Sequence, residues 1–130
     1  MADLIITLHS YNVYLIVLAG SVAGIWGLIL YFTKKPANKP WHISLIVATV
    51  LGLLQGLFGI TMVILGLKPG TGTGLYYLHY VYGAIVALAI PVGLTYTTSG
   101  KNPRRDILIF SIAALILVAA GVRAFQTGPH

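Results

Sequence analysis

Residues 43–65 read ISLIVATVLGLLQGLFGITMVIL, an apolar run from Ile43 to Leu65 without one charged side chain. Crossing about 30 Å of hydrocarbon takes roughly 20 helical residues, and this run is long enough. Three more stretches meet the same requirement: Tyr11 to Phe32, Tyr76 to Thr97 and Asp106 to Phe125. The sequence therefore predicts an all-α integral membrane domain covering residues 1–130, with spans at about 11–32, 43–65, 76–97 and 106–125. No positively charged start or small-residue cleavage site precedes the first run, so it reads as a retained span.

The segments between the runs carry helix breakers. Lys34-Lys35-Pro36-Ala37-Asn38-Lys39-Pro40 follows the first span and Lys68-Pro69-Gly70-Thr71-Gly72-Thr73-Gly74 follows the second. Short connections force neighbouring spans antiparallel, which gives an up-down-up-down four-helix bundle. Lys34, Lys35, Lys39, Lys101, Arg104 and Arg105 fall in the first and third connections, whereas Lys68 and Arg123 lie near the other side. By the positive-inside rule the expected arrangement has both termini outside. Multi-pass insertion in a prokaryotic plasma membrane is the expected location.

Composition agrees and excludes several functions. Of 130 residues 58% are hydrophobic and 8% charged, and the mean hydropathy is +0.92. A soluble globule and a disordered chain are both excluded. The formal charge of +6 sits in gaps between apolar runs, so it reads as a topology signal and not as a nucleic-acid surface. With no Cys there are no disulfides, thiolate ligands, covalently attached haem or iron–sulfur clusters. The only acids are Asp3 and Asp106, expected on opposite sides, so neither a carboxylate pair nor an ion-coupled proton path is expected.

Histidine is the remaining chemistry. His42 opens the second span beside Trp41 and His130 ends the chain. His9 precedes the first span and His79 lies about one turn into the third. Spans one and three run in the same direction, so these imidazoles share a depth and can take both axial positions of a haem iron. Val13, Ile16, Gly20 and Gly24 follow His9 at helical spacing, and Gly83 and Val86 follow His79. Gly20-xxx-Gly24, Gly52-xxx-Gly56 and Gly59 remove bulk from one helix face, admitting either a neighbouring helix or a flat cofactor. Arg123 suits a haem propionate, with Lys68 as a second cation, although taken alone an arginine there is better explained by snorkelling to the interface. Pro91 removes a backbone hydrogen bond in the third span. Tyr31, Trp41, Tyr76, Tyr77, Tyr80 and Tyr82 suit the membrane boundaries.

From Leu54-Gln55-Gly56-Leu57-Phe58-Gly59 through Leu65-Gly66-Leu67-Lys68-Pro69 to Leu78-His79, the chain resembles one four-helix half-bundle of the heme A synthase family. There a Gln-Gly-x-x-Gly run leads through a Gly-Leu-x-Pro turn to a Leu-His pair. The resemblance implies a haem-holding scaffold with His9 and His79 as the ligands. It departs from the family at Ile5 and Ile6, where the catalytic half has a glutamate about a turn before the first histidine. The cysteine-containing outer loop and the second half-bundle are also missing, so hydroxylation of a haem methyl is not implied.

The first expectation is accordingly a haem b protein relaying electrons at the outer face, with His9 and His79 as iron ligands and Gly20, Gly24, Gly56, Gly83 and Arg123 around the cofactor. It would be a subunit of a larger respiratory or photosynthetic membrane complex, with the lipid bilayer and a quinone as further partners and no nucleic acid. A haem-free accessory subunit, using its glycine faces as contact surfaces, is the alternative. A haem-modifying or quinone-site enzyme is a third. Chlorophyll, carotenoid and lipid remain open as occupants of the glycine faces, since one histidine suffices for a chlorophyll magnesium.

Overall fold

The computed structural model describes residues 2–66, 77–98 and 100–127. It contains α1 (Ala2–Phe32), α2 (Lys39–Ile64), α3 (Tyr77–Thr95) and α4 (Pro103–Thr127), with no strand among the described residues. Each helix is long and apolar enough to cross a membrane. Lys68, Pro69 and Tyr76 lie outside the described residues, as does His130.

Helix boundaries follow local chemistry. Asn38 caps α2, its side-chain oxygen accepting from Trp41 N at 2.9 Å. Asn102 does the same for α4, accepting from Arg105 N at 3.1 Å, with Pro103 as the first helical residue. Each cap satisfies an otherwise orphaned amide and stabilises its helix by about 1 kcal/mol. Asp106 reaches back from the first turn of α4 and accepts from Thr98 N at 2.7 Å and from Gly100 N at 3.2 Å, folding the α3–α4 connection onto the helix end.

One boundary corrects the sequence expectation. Helix α1 starts at Ala2, not near Tyr11, so His9 lies within it, about 10 Å along its axis. The polar cluster His9, Ser10, Tyr11 and Asn12 interrupts the hydropathy, but it does not interrupt helical backbone, and Asp3 complements the positive end of the helix.

The helices form a ring in which α1 packs on α2 and α4, and α3 packs on the same two, leaving α1 and α3 on a diagonal. Between α1 and α4 the register is antiparallel. A Cβ on Gly20 would meet Val118, one on Gly24 would meet Leu115, and one on Gly27 would collide with Ser111. In lipid, apolar surface gains nothing by leaving hydrocarbon for a protein interior, so close packing of small residues holds such helices together. Trp41 plugs the end of the core, nearly fully buried, and its Nε1 donates to Ala23 O at 2.9 Å. Large aliphatic side chains such as Leu18, Ile25, Ile60 and Ile64 face outward, as a lipid environment requires.

Candidate functional site

The diagonal is bridged at one end. His9 of α1 and His79 of α3 bring their rings to a centroid separation of 5.8 Å with planes 64° apart. Running in the same direction, the two helices present residues early in each at one depth. His79 is oriented by α4: its Nδ1 lies 2.8 Å from the carbonyl oxygen of Ala124. A carbonyl can only accept, so Nδ1 carries a proton, and in the neutral ring Nε2 then carries the lone pair. Among the described residues His9 Nδ1 is buried without a hydrogen-bond partner. Leaving such a group unsatisfied costs about 1–3 kcal/mol, a cost that a bound group can offset.

Beneath the pair is a buried amide network. Gln55 Nε2 donates to His9 O at 2.9 Å, and Asn12 Nδ2 donates both to Gln55 Oε1 and to Leu51 O at 3.0 Å. This network ties α1 to α2 at the level of His9. Gln55→Leu is expected to lower stability by about 1–3 kcal/mol, read as a lower melting temperature in detergent; an unchanged value would show that the network does not hold the site.

Both histidines line a cavity of about 470 Å³ between α2 and α3, together with Gln55, Gly56, Gly59 and Gly83. Its walls are mostly apolar and its volume falls in the range of small-molecule sites. The glycines here differ from those elsewhere. Among the described residues a Cβ on Gly83 would meet nothing within 4 Å, and one on Gly59 would meet only His9 Cε1 at 3.8 Å. Helix packing does not account for these two glycines, which leave an open cradle.

The sequence-predicted residues thus divide. His9, His79, Gly56 and Gly83 come together at the cavity. Gly20 and Gly24 do not; they lie against α4, where Leu117, Val118 and Leu115 occupy the space beside them. Gly52 faces α3 inside the chain, where a Cβ would approach Val86 O to 2.7 Å, so it is not a contact surface for another subunit. Arg123 stands over the Tyr82 ring at 5.5 Å and donates to Gln126 Oε1 at 2.9 Å, outside the cavity wall. Sequence reasoning missed Asn12 and Ala124 and gave Gln55 no role. An amide in mid-span was the available signal for Gln55 and Asn12, whereas a backbone carbonyl such as that of Ala124 leaves none.

Among the described residues no three His, Cys, Asp or Glu side chains come close enough to hold a metal ion together. A protein zinc site needs at least three such ligands. Comparison with protein families, with curated proteins and with solved structures found no match to this chain.

Proposed function

We propose that this chain is a b-type haem protein of the membrane, holding one haem between His9 and His79 and passing single electrons at the end of the bundle where α1 begins and α4 stops. The observation that carries the reading is the juxtaposition of the two imidazoles across the bundle diagonal at 5.8 Å. Edge-to-face ring packing occurs at the same separation. The cradle at Gly59 and Gly83 and the unpartnered His9 Nδ1 favour a ligand over simple ring packing.

When bound, haem supplies a reversible one-electron couple. The protein's part is to hold and orient it. Ala124 O fixes the His79 ring with its lone pair on Nε2, the usual support for a metal-bound histidine. Gln55 anchors the α1 backbone at His9. His9 and His79 would both hold the group, and the chemistry it would supply there is electron relay. Arg123, at this end of the bundle but outside the cavity lining, would meet a propionate only by leaving Gln126, and we assign it that role. The resemblance to a heme A synthase half-bundle points to the same ligand pair.

A site near one end of the bundle does not cross the bilayer by itself. We therefore assign the chain to a larger respiratory or photosynthetic complex, with a quinone or a second cofactor completing the electron path, in a prokaryotic plasma membrane with both termini outside. The test is a reduced-minus-oxidised absorption spectrum of protein purified from its native membrane in mild detergent. Sharp b-type bands are expected. A spectrum without haem would overturn the proposal and favour the accessory-subunit alternative.

A further inference from the structure

A second concavity lies toward the other end of the bundle. It is a groove of about 600 Å³ between α3 and α4, lined by Ala89, Gly93, Ile109 and Ala113, with Tyr96 and Arg105 at the end where α3 stops and α4 starts. Small residues create it: a Cβ on Gly93 would lie 2.9 Å from Ala113 Cβ, so the helix backbones nearly touch beneath. The flanking Leu88, Val92, Ile112 and Ile116 are about half exposed, so the groove opens outward to the surroundings of the bundle.

Charge narrows the occupant. Lys34, Lys35, Lys39, Lys101, Arg104 and Arg105 all belong to this end of the molecule. The one acid there, Asp106, is engaged by Thr98 N, Thr98 Oγ1 and Gly100 N. Arg104 is turned toward α1, its guanidinium 4.4 Å over the Tyr31 ring and its Nη2 3.4 Å from Tyr31 O. Arg105 is the cation that lines the groove. An apolar channel ending at a guanidinium matches a molecule with a hydrocarbon chain and an acidic head.

We infer that the groove binds an anionic phospholipid, one acyl chain lying between α3 and α4 and its phosphate on Arg105. The groove shares Ala84 and Leu88 with the wall of the histidine cavity, but its charged end is at Arg105 and its test does not depend on haem. The full chain in detergent is titrated with phosphatidylglycerol, with phosphatidylcholine of the same chains, and with inorganic phosphate, while thermal unfolding is followed by circular dichroism. Phosphatidylglycerol is expected to raise the melting temperature saturably, and the other two are not. Arg105→Gln is expected to weaken the apparent affinity for phosphatidylglycerol roughly fivefold, the effect of one basic side chain at an anionic surface. Arg104→Gln should leave it unchanged. An equal rise with phosphatidylcholine would mean a groove indifferent to the headgroup, and a rise with inorganic phosphate alone would mean an ion site; either overturns the inference. So does an Arg104→Gln loss as large as that of Arg105→Gln, which would reduce the effect to net charge.

Discussion

His79→Ala and His9→Ala should each abolish the Soret band of the purified protein while leaving the helical circular dichroism signal unchanged. The two rings meet across a diagonal where the backbones of α1 and α3 do not touch, so neither ring is a keystone of helix packing. Removing the His79 ring forfeits its bond with Ala124 O, worth about 1 kcal/mol. Removing the His9 ring relieves a buried unpartnered nitrogen. Small structural costs set against complete loss of a spectroscopic signal make this comparison decisive. An unchanged band in both variants would remove the pair from any role as ligands. A band lost only with His79 would leave a single ligand, the situation in which a chlorophyll magnesium is held.

Glycine replacements should separate scaffold from site with effects as large. Gly52→Leu directs a side chain at Val86 O, a backbone atom that cannot swing aside. It should prevent α2 from approaching α3 and cost several kcal/mol, on the order of the upper range for overpacked cores, seen as aggregation or as loss of a thermal transition. Gly83→Leu adds the same atoms where an added Cβ meets nothing within 4 Å. That variant should fold with a melting temperature near that of the parent and take up little or no haem. Normal haem content in folded Gly83→Leu would show that the cavity between α2 and α3 is not where the cofactor sits. Normal folding of Gly52→Leu would show that the α2–α3 approach is looser than the structure has it.

The spans were legible in the sequence because a bilayer demands about 20 apolar residues in a row, and few other constraints leave so plain a mark. The start of α1 was not legible. Hydropathy falls at His9, Ser10 and Asn12, yet the helix continues through them because Asn12 bonds to Leu51 O and Gln55 within the bundle. The pairing of His9 with His79 followed from the shared direction of alternate spans, an argument from topology. Which glycines face which neighbour needed the rotation of each helix about its axis. Gly20 and Gly83 look alike in sequence, both small residues following a histidine, but one is filled by Val118 and the other opens on a cavity. The support of His79 by Ala124 was illegible because every residue offers a carbonyl.

That support draws on the first helix and on the last. The pair draws on residue 9 of the first helix, residue 79 of the third and the carbonyl of residue 124, three places short of the end of the fourth helix at Thr127. During synthesis the first helix is complete long before α4 is made, so any group gripped by both rings waits for the fourth helix. Chains cut short before α4 would retain both histidines but lack the carbonyl that sets the second ring. Under the proposed function, capture of the cofactor would therefore report that all four helices have assembled, and would discriminate the complete bundle from a three-helix fragment.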